Sequence, residues 1–170
     1  HAGFIFFAKS PRNLTLDQLT VLARDVPDQI GRIGVFVDPD PELVARAIAA
    51  GRLTAIQLHG KEDPAALAAL RAGRNIELWK AIPVRTRTDL AAGAALKGVA
   101  DRLLYEAKFA GGADLPGGLG LRFDWKLLDG FAHPLPWVLS GGLDAENVGR
   151  AIGITGARLV DVSSGVESAP

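Results

Sequence analysis

Seven short apolar runs punctuate the chain: "GFIFF" (3–7), "IGVFV" (33–37), "TAIQL" (54–58), "LWKAI" (78–82), "RLLYE" (102–106), "WVLS" (137–140) and "LVDV" (159–162). They are rich in β-branched, aromatic and leucine residues, and several are almost continuously apolar. That pattern predicts parallel strands buried on both faces. Between most of them lie alanine- and leucine-rich segments with helical spacing. "PELVARAIAAG" (41–51) begins on proline and an acid and ends on glycine, which are helix start and stop signals. "PAALAALRAG" (64–73) repeats the pattern, and "LDAENVGRAI" (143–152) does so with Asp144 as its expected N-cap. Strand and helix alternating in this way is the signature of right-handed βαβ units.

Two α/β architectures fit such an alternation, a doubly wound open sheet and a (β/α)8 TIM barrel. The polar residues favour the barrel. Nearly every apolar run ends in chemistry-bearing groups, "AKSPR", "VD", "QLHG", "YEAK", "SGG" and "DVSSG". A barrel builds its site from the C-terminal ends of many strands, whereas an open sheet concentrates it at one switch point. No GxGxxG opens the first helix. Seven runs are one short of eight. The chain opens almost inside a strand and stops at "ESAP", where an eighth helix is expected. The expectation is one (β/α) barrel domain over residues 1–170, truncated at both ends, with the first βα unit and the final helix missing.

The runs at 137–140 and 159–162 both lead into glycine, in "SGGL" and "SSGVE". Phosphate is bound by backbone N–H groups at glycine-rich turns and helix N-termini, and barrels often place that site after strands 7 and 8. With the first strand missing, these junctions follow strands 7 and 8. Gly141, Gly142, Ser164 and Gly165 are therefore the candidate phosphate-binding residues.

Composition narrows the function further. Lys+Arg and Asp+Glu are both 19, so no broad basic surface for nucleic acid is expected. The absence of cysteine removes disulfides, thiolate metal sites and thiol nucleophiles from these residues, and three histidines make a histidine-rich metal site an unfavoured reading. There is no uninterrupted apolar segment long enough for a membrane span and no signal-peptide pattern, so the cytoplasm is expected.

The set "GFIFFAKSPRNL", "QLHGKE", "LPGGLGLRFDW", "LSGGLDAENV" and "VDVSSGVESAP" spans nearly the whole chain. In that order it resembles the phosphoribosylanthranilate isomerases of tryptophan biosynthesis. The resemblance implies a small phosphorylated substrate, N-(5′-phosphoribosyl)anthranilate. It also implies an Amadori rearrangement to an open-chain 1-deoxyribulose phosphate, without a metal or organic cofactor. An acid protonates the furanose ring oxygen and the ring opens to a Schiff base. A base then removes the C2′ proton, and the enolamine tautomerises to the ketone. In the family the acid is an aspartate ending strand 6, and the base is a cysteine in a "KICG"-like stretch ending strand 1.

Glu106, in "LLYEAK", stands where the acidic aspartate is expected, so the resemblance makes it the catalytic general acid. A glutamate paired with Lys108 is the plainer structural reading. The base has no counterpart, since these residues hold no cysteine. The resemblance makes Arg12, in "KSPR", the binder of the anthranilate carboxylate, which a guanidinium fork suits. It gives Gln57, His59 and Asp161 as further substrate contacts, although Gln57 and His59 could also merely tie loops together. "PGGLG" (116–120) reads as a mobile loop, Asp124 as an N-cap, His133 as a loop residue, and Trp79, Trp125 and Trp137 as packing residues. Two other functions stay open on the residues: a phosphate-binding barrel without catalysis, and another phosphate-binding barrel enzyme of tryptophan synthesis.

Overall fold

Four of the apolar runs that fill parallel strands are followed by an α-helix that opens on a polar residue. The computed structural model describes residues 1–107 and 122–167. The expected loop at 116–120, Lys108 and residues 168–170 lie outside the described residues. Among the described residues there are six strands: β1 (Ala2–Phe6), β2 (Arg32–Phe36), β3 (Ala55–Leu58), β4 (Glu77–Val84), β5 (Arg102–Ala107) and β6 (Trp137–Leu139). They lie in one sheet in sequence order. The registers of β1 to β4 and of β5 with β6 are parallel. Four α-helices follow strands: α1 (Leu16–Arg24), α2 (Pro41–Gly51), α3 (Pro64–Arg71) and α4 (Val148–Thr155).

The seventh run forms a single parallel bridge, Leu139 to Val160, rather than a strand. Two hydrogen bonds carry it, from Leu139 N–H to Leu159 O at 3.0 Å and from Asp161 N–H to Leu139 O at 2.8 Å. The reason is local. Its neighbour β6 is only three residues long, and at Ser163 the chain turns into a 3-10 helix over Ser164–Val166.

The chain groups into two compact units, His1–Lys80 with Gly98–Ala100, and Ala81–Lys97 with Asp101–Pro170. In the first, Phe4, Phe6, Leu19, Phe36, Val44, Ile56 and Leu58 form the core. Phe6 stacks on Phe36 with ring centroids 5.1 Å apart. Helix α2 matches the segment read from sequence residue for residue: Pro41 opens it and the Asp40 carboxylate accepts the Glu42 N–H at 2.9 Å. Gly51 does not end it by a left-handed turn, however. Arg52 takes that conformation, with φ 49°. Gly51 instead lets α1 come close, since a Cβ there would meet the Leu19 side chain at 2.8 Å. In the second unit Leu90, Leu103, Leu104, Tyr105, Leu128 and Leu139 are the core. Here a 3-10 segment, Arg87–Leu96, stands between β4 and β5.

Candidate active site

The polar residues of the first unit sit at the end of β3 and in the loops beside it. Alternation along a strand puts Gln57 and His59 on one face, with Val35 of β2 in register with Gln57. Gln57 is buried and His59 half-buried. The His59 N–H extends the ladder to Phe36 O at 2.9 Å. The next residues, Gly60 to Glu62, are held by a charged network. Lys80 of β4 donates through Nζ to Leu58 O at 3.2 Å and Gly60 O at 2.8 Å. It also pairs with Glu62 at 3.0 Å, with both side chains more than nine-tenths buried. The second Glu62 oxygen accepts the Asp38 N–H at 2.9 Å, and Asp38 accepts the Lys61 N–H at 2.6 Å. Asp38 itself has φ 43°, a left-handed conformation that aspartate tolerates better than most residues.

Arg12 lies in the loop after β1, half-buried, with its backbone N–H on Ser10 Oγ at 3.2 Å. That loop folds back on its strand: Asn13 bridges Ile5, and the Leu14 N–H reaches Ile5 O at 2.9 Å. The structure therefore brings Gln57 and His59 onto one face and leaves Arg12 on a separate, well-pinned loop.

In the second unit, Glu106 is the penultimate residue of β5 and only 5% exposed. The register Leu104 to Val138 puts Glu106 on the same face as Ser140, one residue past β6. The Ser140 hydroxyl donates to Asp161 at 3.1 Å, so Glu106, Ser140 and Asp161 follow one another across that face. Ser140 is the residue that sequence reasoning missed; its signal was the hydroxyl closing "WVLS". On the opposite face, burial pushes the Tyr105 hydroxyl up to about 12. Tyr105 lies 3.3 Å from Nδ1 of His133, whose own pKa burial lowers. His133 is a loop residue, as expected, and it is half-buried, stacked on Trp137 at 4.4 Å.

The two glycine junctions use glycine in different ways. Gly141 and Gly142 have φ 93° and 62°, which side chains with a Cβ rarely adopt. Gly165 packs its Cα against the Leu143 backbone, and a Cβ there would overlap the Leu143 carbonyl oxygen. The turn after β6 and the Ser164–Val166 turn therefore touch. Asp144 accepts the N–H groups of Glu146 and Asn147, at 3.0 and 2.9 Å, and holds the turn that leads into α4. The helix proper starts later than expected, with Asn147 at its N-cap. Asp124 caps the 3-10 turn Trp125–Leu128 through the Lys126 N–H, as its position predicts.

The sequence profile of the family described as N-(5'phosphoribosyl)anthranilate (PRA) isomerase matches residues 1–169. The chain belongs to this family. A relative from Zymomonas mobilis subsp. mobilis, named N-(5'-phosphoribosyl)anthranilate isomerase, is 51% identical over all of this chain and 80% of its own length. The crystal structure of phosphoribosyl anthranilate isomerase from Thermotoga maritima superposes with a TM-score of 0.85 at 31% identity, covering 99% of this chain and 78% of that one. A structure of the family's enzyme in complex with reduced 1-(o-carboxyphenylamino)-1-deoxyribulose 5-phosphate matches with a TM-score of 0.82 at 30% identity, covering 99% and 77%. The fold class is therefore α/β of the TIM-barrel type shared with these isomerases. Among the described residues no helix is long and apolar enough to cross a membrane.

Proposed function

We infer that the chain acts as a phosphoribosylanthranilate isomerase of tryptophan biosynthesis, working in the cytoplasm on a small phosphorylated substrate. The geometric observation that carries this reading is the pairing of adjacent strands in the second unit. Strand β5 carries the buried carboxylate Glu106 next to its end, and β6 runs into the positive-φ turn Gly141–Gly142.

Each residue has a role in this reading. The backbone of Gly141, Gly142, Ser164 and Gly165 binds the 5′-phosphate. Glu106 gives its proton to the furanose oxygen; the C1′–O bond breaks as the anilino nitrogen forms the Schiff base. Loss of the C2′ proton then yields the enolamine, and tautomerisation gives the ketone. Asp161, oriented through Ser140, contacts the sugar. Arg12 binds the anthranilate carboxylate as a two-pronged donor, and Gln57 and His59 contact the substrate from β3. The C2′ base, a cysteine in the family's pattern, has no counterpart among these 170 residues, none of which is cysteine. Residues 1–170 are read as one barrel domain. No observation favours a non-catalytic phosphate binder or a different enzyme of the pathway.

The test follows the loss of anthranilate fluorescence on conversion, comparing this chain joined to an upstream strand that carries a "KICG"-like stretch with the Glu106→Gln variant of that extended chain. General acid catalysis is typically worth about 10²–10⁴-fold, so turnover should fall by that order while the reduced product analogue still binds. Turnover unchanged in the variant would remove Glu106 from the mechanism.

A further inference from the structure

A turn that binds an anion must aim its N–H groups at the ligand and its carbonyls away from it. In the turn after β6 a residue outside the turn helps to enforce that orientation. Arg122 donates through Nε to Gly142 O at 3.1 Å, and its second guanidinium nitrogen pairs with the Asp144 carboxylate at 3.3 Å. The Asn147 side-chain amide donates to the same carbonyl at 3.0 Å. Across a trans peptide the C=O and the following N–H point in opposite directions. Two donors on Gly142 O therefore hold the Leu143 N–H on the other side.

The charge at this turn also needs an answer. Asp144 is required for the turn, because its Oδ1 takes the Glu146 and Asn147 N–H groups. Its carboxylate would repel a phosphate dianion only a residue or two away. Arg122 sits on Oδ2 and offsets that charge.

We propose that Arg122 is a positioning residue of the phosphate turn: it fixes the Gly142–Leu143 peptide and neutralises Asp144, so that the turn accepts a phosphate dianion. The inference rests on the phosphate reading of Gly141 and Gly142 given above. Arg122 stands 20 residues before the turn it serves and, about half exposed, takes no part in the core.

The test begins with inorganic phosphate and the backbone amide resonances of Gly141 and Gly142. If they do not move in the unmodified protein, the phosphate reading itself fails and the inference with it. If they move, Arg122→Ala is compared by calorimetry on two ligands, anthranilate and the reduced 1-(o-carboxyphenylamino)-1-deoxyribulose 5-phosphate. Losing a charge-assisted hydrogen bond to the turn should weaken the phosphorylated ligand by about five- to twentyfold. Anthranilate affinity and the thermal midpoint should hardly change, because the pair is exposed. Adding Asp144→Asn keeps the cap oxygen but removes the charge, and should return part of the lost affinity. Arg122→Gln keeps a donor and should fall between the unmodified protein and Arg122→Ala. Equal loss for both ligands, no loss for the phosphorylated one, or no recovery with Asp144→Asn would overturn the proposal while leaving the phosphate reading intact.

Discussion

The loop after β3 and the turn after β6 both follow a parallel strand and both carry polar residues, but they are built by different means. After β3 the loop is held from beneath by a buried ion pair, Lys80 with Glu62, which also ties down two carbonyls and the Asp38 N–H. After β6 the turn is shaped by backbone conformation at Gly141 and Gly142, and the ion pair beside it, Arg122 with Asp144, is partly exposed. Buried charges left without a partner are costly, whereas exposed pairs contribute little to stability. The β3 loop should therefore respond to mutation as a stability element. The β6 turn should respond as a binding element.

The strongest way to break the comparison is to remove one partner of the buried pair. Lys80→Met leaves Glu62 charged and enclosed, and should destabilise the fold by about 3–5 kcal/mol, the usual cost of an orphaned buried charge. Lys80→Met with Glu62→Leu should recover part of this loss. Recovery should be incomplete, because the Asp38 N–H and the carbonyls of Leu58 and Gly60 lose partners as well. Denaturant titration of the single and double variants gives the values. A loss below 1 kcal/mol for Lys80→Met would mean that water reaches the pair and that the two regions are not different in kind.

The glycines of the turn come next. Gly142→Ala places a Cβ at φ 62°, which costs about 1–2 kcal/mol in the left-handed region. Gly165→Ala should act differently, by pushing the Ser164 turn off the Leu143 carbonyl. Both should lower affinity for inorganic phosphate, and neither should alter binding of anthranilate alone. Phosphate-induced amide shifts and anthranilate calorimetry on the two variants check this, and a matching fall in anthranilate affinity would merge the two regions into one.

Much of this frame is legible in the sequence because it is local. α2 and α3 announce themselves through an aspartate before proline and through apolar spacing, and both aspartates do cap, Asp63 on the Ala66 N–H at 2.8 Å. α1 carries an equally local signal, a Thr15–Gln18 capping box, but its mixed polar face hid it from a reading based on apolar periodicity. The 3-10 segment Arg87–Leu96 escaped for a different reason. Gly93 lies against the Leu103 side chain, and that close approach is a tertiary fact. The strand-end candidates were legible as positions, not as partners. Nothing in the spacing links Lys80 to Glu62, or Arg122 to Gly142, since such pairs exist only once separate strand ends lie side by side. Glu106 could be singled out from its strand, whereas the Ser140 hydroxyl that joins its face to Asp161 needed the register.

Arg12→Lys sharpens the division between the regions without disturbing either frame. The loop that carries Arg12 is fixed through backbone bonds to Ser10 and Ile5, so the substitution should leave the course of the loop unchanged. Lysine keeps the charge and loses the planar fork. Anthranilate affinity should fall by about three- to tenfold, within the range of one charge-assisted bond, while inorganic phosphate affinity stays the same. Equal loss for both ligands would deny Arg12 a specific role with the carboxylate.

The smallest effect belongs to the far end of β6, and it separates the turn from the base of its own strand. His133 lies between Trp137 and Phe131 and faces the Tyr105 hydroxyl, and the Arg87 guanidinium sits 5.8 Å over Phe131. Burial lowers the His133 pKa below its ordinary 6.5, so the folded chain takes up this proton less readily than the unfolded one. The stability this contributes is complete above the unfolded value and is lost as the pH falls from there through the lower folded value. His133→Gln cannot titrate, yet it keeps a polar atom for Tyr105. Between about pH 7.5 and about pH 5.5, where an ordinary histidine titrates, the unmodified protein should therefore lose more of its thermal midpoint than the variant does. Carboxylates titrating elsewhere affect both proteins alike and cancel in the difference. Identical slopes would show that His133 is hydrated in solution. A slope difference that also carried over into anthranilate binding would show that this aromatic cluster reports on more than the base of β6.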